Sequence, residues 1–573
     1  MKFFTHIPTY TYSRPLLMIG LCLALSMGQH ATAQDLEQIG DQKLVRVSGG
    51  ISTNTTFYHA TGIESRRDPF YWMINANINF DFLGVVQVPF SMTISQQNKN
   101  FSQPQPFNRF GLSPKYKSVT AHLGHRSMTF SNYTLAGNLF FGVGVEVEPE
   151  DSFWRVSAMY GRFAKAVSKS AQSGLVFAEP TFKRLGYGVK VGLGKEKHNI
   201  DLILFKAKDD VHSIEITDEV DVLPEENLVL GFNTSHKINK RISFELEYAY
   251  SMFTRDTRIP PTTINDYTFV NNLGSLFTPN ISSDYNGALQ SKIKYTASWY
   301  QLNLSYRNID PGYQTMGSSF LNNDLRDISG GIAWRMFKQK VNVAMNAGLQ
   351  HNNLDNQLTA QVRRGIFSSN VSYAPNEKLN FNVSYSNFNS STQQSQLRPD
   401  ILTDTLEFFQ VTRNGSINVN YQTNKEVGLN HTLFLSSSIQ DATDSESNSS
   451  TFYNATLGHQ VRIGNAWSLG LTYTYNRNQS VGLVSVTTGP ILTVGRSFFE
   501  NKMRTSISGS LLNSYVQNSL ESTVNNVRWM NSLRVGKKHS FSVSVYYLNK
   551  HLKEEDAEVI NEIRGGVNYS YRL

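Results

Sequence analysis

The residues Ile560-Asn561-Glu562-Ile563-Arg564-Gly565-Gly566-Val567-Asn568-Tyr569-Ser570-Tyr571-Arg572-Leu573 end the chain, and their reading decides the fold. In an extended strand successive side chains point to opposite faces. Val567, Tyr569, Tyr571 and Leu573 then share one face, and Asn568, Ser570 and Arg572 share the other. A closing strand that is apolar on one side and polar on the other is what a membrane β-barrel needs to pair with its first strand. Closure leaves no backbone edge unpaired in lipid.

The same period of two runs through the chain from about Leu44. Ile74, Ala76, Ile78, Phe80 and Phe82 alternate with Asn75, Asn77, Asn79 and Asp81. Leu139, Phe141, Val143, Val145 and Val147 alternate with Phe140, Gly142, Gly144, Glu146 and Glu148. Comparable runs recur at Ile242–Tyr250, Leu379–Tyr385, Trp467–Tyr475 and Phe541–Tyr547, and no stretch of similar length has a helical period. Short polar turns, such as Gly194–Lys197, Asn424–Glu426 and Gly536–Lys538, alternate with longer segments rich in Asn, Ser, Thr, Asp and Gly. Short periplasmic turns set against long extracellular loops predict an all-β, single, large, closed antiparallel transmembrane barrel of about 26 strands (22–26), fewer if Phe107–Tyr116 folds otherwise. A secreted β-sandwich array would also alternate. It would break into units of roughly 100–150 residues joined by linkers, and no linker or fixed-length repeat is visible.

The start of the chain predicts export. Lys2 and Arg14 precede the apolar run Leu16–Met27, and Ala31-Thr32-Ala33 gives a small-x-small cleavage pattern before Gln34. The apolar run is shorter than the roughly 20 residues a spanning helix needs. The expected division is a signal peptide over 1–33, a short periplasmic segment over 34–43 and the barrel over 44–573. Cys22, the only cysteine, lies within the signal, so the mature chain excludes thiol catalysis and cysteine-ligated zinc. Loss of Lys2 and Arg14 takes the formal charge from +8 to +6. That is too weak to argue for nucleic acid and permits at most a mild anion preference in a pore. The aromatics, 27 Tyr and 35 Phe among them, suit a polar chain whose strands face water on one side and lipid on the other.

Two segments carry a resemblance. One is Phe110-Gly111-Leu112-Ser113-Pro114-Lys115-Tyr116, followed by His122-Leu123-Gly124-His125-Arg126 and Tyr133-Thr134-Leu135-Ala136-Gly137. The other is Asp310-Pro311-Gly312-Tyr313-Gln314-Thr315-Met316-Gly317, followed by Leu321-Asn322-Asn323-Asp324. With the Ala-x-Ala-Gln signal end, they resemble large uncharacterised outer-membrane β-barrel proteins of Bacteroidota-type bacteria. The closing strand is similar to the C-terminal signal of bacterial outer-membrane proteins, except that Arg572 and Leu573 follow the second aromatic. These resemblances imply the outer membrane and a barrel, and bring no activity with them.

Candidate site residues come from the polar phase and from the most distinctive loop. Asp81, Glu146, Glu148, Lys190, Glu245 and Glu247 are expected to line the lumen and tune passage. Carboxylates two apart on a wet wall suit that role better than acid–base catalysis. Gly186, Gly188, Gly192 and Gly194 share the face of Lys190 and read as small lumen-side residues, since the pattern of a phosphate loop is absent. His122 and His125, three apart on a strand, point to opposite faces and cannot share an ion without a bulge. No metal, cofactor or catalytic residue is expected. In the loop Asp310–Asp327, the residues Tyr313, Phe320, Asn322, Asn323 and Asp324 are candidates for a constriction or a partner contact, and a self-packed loop is the alternative.

Two function classes follow. In one, the barrel is a porin-like channel or transporter for small polar solutes, narrowed by inward loops among Lys99–Gly111, Ala164–Pro180 and Phe253–Asn286. In the other, it is a non-enzymatic scaffold subunit of a multiprotein surface or secretion assembly. The expected partners are outer-membrane lipid and, in the second case, other outer-membrane or periplasmic proteins. An even strand count places the closing strand beside Leu44–Ala60, with Val567 and Tyr569 facing lipid near Val45 and Val47.

Overall fold

The alternating segments form strands because their β-branched, aromatic and small polar residues fit a pleated surface with one apolar face. The computed structural model describes residues 44–573 apart from 97–104, 169–179, 196, 216–221, 266–267, 319, 358–359, 395–405, 424–427, 445–448, 481 and 555–557. The expected signal peptide, the expected segment over 34–43 and the turn Asn424–Glu426 lie outside the described residues, as do much of Lys99–Gly111 and Ala164–Pro180.

The strand segments make one sheet in which neighbours in sequence pair antiparallel, and the first, Val45–Thr61, pairs antiparallel with the last, Ile560–Arg572. Arg109–Leu112 and Lys115–Tyr116 are two parts of one strand, because both hold the same register against Val86–Ser95 and against Val119–Thr129. Pro114 lacks the N–H that a ladder needs. The break is bridged by Ser113 N–H donating to the Pro89 carbonyl at 2.9 Å and by Ala121 N–H donating to the Pro114 carbonyl at 2.9 Å. The chain is therefore a closed antiparallel barrel of 26 strands, the 27 segments less one for this break.

An even count puts the start of the first strand and the end of the last on one rim. That rim carries short turns, among them 83–85, 337–340 and 499–502, while the opposite rim carries 165–182, 255–282 and 310–324. Gln517 and Asn518 both have positive φ, the two-residue hairpin turn whose twist matches its strands.

Side-chain phase is kept around the whole ring. Tyr571 lies opposite Ile51, Ile51 opposite Ala76, Ala76 opposite Met92 and Met92 opposite Phe110. The other face runs through Ser570, Ser52, Asn75, Thr93 and Arg109. The convex face exposes apolar side chains such as Leu304, Leu457, Leu471, Leu492 and Ile507. The concave face holds polar side chains over much of the ring and a buried apolar cluster over the rest.

The first and last strands pair as expected, but the register differs. Val567 lies opposite Thr55 and Tyr569 opposite Thr53, whereas Val45 and Val47 lie opposite Phe82 and Phe80 of the second strand. Strands in a closed barrel tilt and stagger, so the ends of the first and last strands are not level. The last pair is Gly50 with Arg572, and Leu573 N–H donates to the Gly49 carbonyl at 3.0 Å. The two residues beyond Tyr571 thus complete the closing ladder.

Leu457 lies at mid-height on the outer wall and is 60% exposed, and its neighbour Thr456 faces the lumen. Leu457→Arg should cost about 2–4 kcal/mol of stability in bilayers, the depth-dependent penalty for arginine on a lipid face. Thr456→Arg should cost less than about 1 kcal/mol. Urea titration in lipid vesicles measures both, and equal costs would reverse the assignment of the two faces.

Candidate functional site: the lumen and its inner loop layer

The strands from Val119–Thr129 through Leu325–Met336 carry apolar side chains on both phases. On the concave side Phe140, Met159, Phe163, Phe205, Val229 and Ala249 are buried in one cluster. Phe163 lies against Gly186, and Phe130 against Gly188, where a Cβ would stand under 3 Å from either ring. These lumen-side glycines make room for an aromatic layer inside the barrel.

Two loops from the long-loop rim cover this layer and hold each other. The Tyr313 hydroxyl donates to the Tyr133 carbonyl at 2.5 Å, the Thr315 hydroxyl to the Thr134 carbonyl at 2.8 Å, and Ala136 N–H to the Gly317 carbonyl at 2.9 Å. A Cβ on Gly317 would overlap the Thr134 carbonyl oxygen. The inner wall fastens both loops. Fully buried Asn227 accepts from Met316 N–H at 3.1 Å and donates to Ser251, whose hydroxyl donates to the Gln314 carbonyl at 2.6 Å. Glu247 accepts from the Asn132 amide at 2.7 Å and from Tyr133 N–H at 3.0 Å. The segments Tyr133–Gly137 and Asp310–Gly317, 173 residues apart at their closest, form one interlocked unit.

The expected lining residues are divided by this arrangement. Glu247 anchors a loop. Glu146 faces inward against His122 (Nε2 to Oε2, 3.3 Å), whose other ring nitrogen is 3.0 Å from the Ser113 hydroxyl. Lys190 faces inward over the Phe130 ring at 5.8 Å. Glu245 lies opposite Lys292, and Asp81 opposite Arg46. Glu148 follows its strand in the turn, where its N–H donates to the Ser118 carbonyl. His125 points to the outer face between Phe110 and Phe141, opposite to His122. Among the described residues, no group of three or more His, Cys, Asp or Glu is placed to hold a metal ion.

The loop residues differ in kind. Tyr313 is fully buried, and the Asn323 amide donates to its carbonyl at 3.1 Å. Asp324 accepts from Asn353 N–H and Leu354 N–H at 2.8 and 2.9 Å and so ties the next loop down. Asn322 is exposed, and Phe320 is 95% exposed. The loop after Phe253 is not a constriction. Its Val270 and Phe277 pack on Leu228 and Met252, which belong to the outer face, and Lys206 donates to the carbonyls of Ser275 and Leu276 there. Tyr250, on the outer face, packs against Phe269 of the same loop.

From Val341–His351 onward the inner wall changes character. It is a carpet of hydroxyls and amides, with Ser384 paired to Ser416 at 2.6 Å, Ser436 to Asn418 at 2.7 Å and Asn526 to Ser510 at 3.0 Å. Among the described residues no loop docks on this side. Among the described residues the lumen is therefore split between a filled arc and an open polar arc.

No family model matches the chain, and neither does any curated protein. Among solved structures it is similar to the P pilus usher (PapC) translocation pore, with TM-score 0.39, 10% identity, and coverage of 92% of this chain and 99% of that one. It is also similar to the ferric yersiniabactin uptake receptor FyuA of Yersinia pestis, with TM-score 0.37, 8% identity, and coverage of 93% and 81%. Pseudomonas aeruginosa OccK1 aligns with TM-score 0.29 and 10% identity over 66% of this chain and 99% of that one. Likenesses this distant carry no argument about what the barrel does.

Tyr313→Phe should weaken the interlock by about 0.5–1.5 kcal/mol, the worth of one hydrogen bond. Gly317→Ala should release the loop, because the added Cβ has no space. Protease cleavage near residue 320 reads both, and a Gly317→Ala loop as protected as wild type would refute the interlock. Burial pushes the Tyr133 phenol up to about 12 and Tyr313 well above its usual range. An unfolded tyrosine titrates near 10. Protection should therefore be complete below pH 10 and be lost as pH rises through about 12.

Proposed function

We propose that the chain is an outer-membrane channel that passes small polar solutes along the open arc of its lumen, with the short-turn rim in the periplasm. The observation that carries this reading is the hydroxyl and amide wall from Val341–His351 to the closing strand. Side chains of this kind replace part of a solute's hydration shell without holding it tightly, which passage requires. The interlocked loops opposite narrow the bore of a 26-stranded barrel, which unfilled would be wide. The export signal and the resemblance to Bacteroidota-type outer-membrane barrels support this location, and the apolar outer wall supports lipid as its surroundings. The reading is non-enzymatic.

One observation favours the scaffold reading. Phe320, at the tip of the interlocked loop, is almost wholly exposed, and so is Ile281 on the loop that covers the outer wall. An apolar tip held by a rigid base suits contact with another surface protein.

Purified protein in planar bilayers should give discrete conductance steps at modest voltage. No conductance at any voltage, with the barrel shown to be inserted, would overturn the channel and leave the scaffold.

A further inference from the structure

We infer that the inner wall around Arg462, Arg504 and Arg528 is a binding station for solutes that carry an oxyanion on a hydroxylated body. This deepens the channel reading and rests on it for the route by which solutes arrive.

The three arginines converge by register. Across the ladder, Arg462 lies opposite Ser468, Ser468 opposite Gly495, and Gly495 opposite Ser506. Arg504 is two residues below Ser506 on its strand, toward the short-turn rim. Arg528, opposite Ser508, is one step above on the next strand. Arg462 and Arg504 are three strands apart, roughly 14 Å at the usual strand spacing. Two extended arginines can reach a small solute between them. The floor they surround is Ser468, Gly495 and Ser506, with the exposed Met530 opposite Ser506 at its side, and the three arginines line one concavity that continues over Ser532 and Ser544.

The charge there is one-sided. In the seven strands from Ser449–Ile463 to Ile560–Arg572 the acidic residues are Glu521 and Glu562, both at the long-loop end. Glu562 is already engaged by Arg66 and the Tyr58 hydroxyl. On the earlier inner wall three arginines are matched by acids, Arg155 with Asp201, Arg184 with Asp209 and Arg307 with Asp327. Arg462, Arg504 and Arg528 have no ion pair or hydrogen bond among the described residues, and all three are exposed to the lumen. A guanidinium remains charged at any working pH and binds carboxylate or phosphate through two parallel N–H bonds. The low-dielectric barrel wall concentrates the field of such a cluster in the lumen. The neighbouring serine hydroxyls suit the hydroxyls of a sugar acid or sugar phosphate.

The test uses the purified full barrel in bilayers with a KCl gradient, and isothermal titration of the detergent-solubilised protein with glucose 6-phosphate, gluconate and glucose. The expected result is a chloride-to-potassium permeability ratio several-fold above one, falling toward one in the double variant Arg504→Gln with Arg528→Gln. Replacing the same two residues by lysine should restore much of the ratio. Glucose 6-phosphate and gluconate should bind in the wild type more tightly than glucose, and the glutamine variant should lose that difference. Binding by only one of the two anions would assign the site to phosphate or to carboxylate. A conducting wild type without anion preference would overturn the inference while leaving the channel standing. A barrel that conducts nothing would overturn the channel, and titration alone would then decide the site: anion binding lost in the glutamine variant upholds it, and no anion binding overturns it.

Discussion

Everything else in the molecule depends on the pairing of Val45–Thr61 with Ile560–Arg572. Without it two strand edges would stand open in lipid, each unpaired backbone group costing several kcal/mol. The pairing must also preserve phase, since a slip of one residue would turn every outward side chain of a strand into the lumen. Thr53 opposite Tyr569 and Ser52 opposite Ser570 meet that condition, so the apolar and polar faces join without a seam. Gly49 marks the point where the first strand outlasts the last. It has φ of 120°, and the place of its missing Cβ is taken by the Asn77 carbonyl oxygen. Only glycine fits a backbone held so close to its neighbour in that conformation.

Closure was legible in the sequence because it rests on a local property, the period of two, repeated until the strand count came out even. The register of closure was not. It depends on the tilt and stagger accumulated around the whole ring, and no window of sequence around Val45 or Val567 records that sum. The broken strand near Pro114 lies between these cases. Proline announces a defect, but only pairing on both sides shows Arg109–Leu112 and Lys115–Tyr116 to be one strand.

The inner layer left a trace that alternation alone hides. Phe140 sits on the polar phase of its strand, as do Phe163, Phe205 and Val229, and apolar residues on both phases mean that both faces are covered. The glycines on the face of Lys190 were the complementary trace, since small residues on one strand leave space for rings from another. The partners were out of reach, because Tyr313 and Tyr133 are 180 residues apart and nothing local couples them. Glu247 shows the limit most plainly. A carboxylate on a wet wall and one that caps a buried loop have the same sequence, and they differ only in whether Asn132 and Tyr133 come within reach.

The two arcs of the lumen follow from a division in the chain. In the first half, Arg155, Arg184 and Arg307 on the inner wall are paired with Asp201, Asp209 and Asp327, and Glu247 is taken up by a loop. In the second half, neutral groups satisfy each other across strands and leave the few arginines unmatched. A charge that is already paired contributes little field beyond its partner, whereas an unmatched one acts across a Debye length of about 8–10 Å at moderate salt. The lumen's electrostatic character is thus set by a handful of residues in its later strands, although the carboxylates most visible in the sequence lie in its earlier ones. An alternating strand shows which side chains face inward; what they face decides whether they fasten the wall or stay free in the lumen.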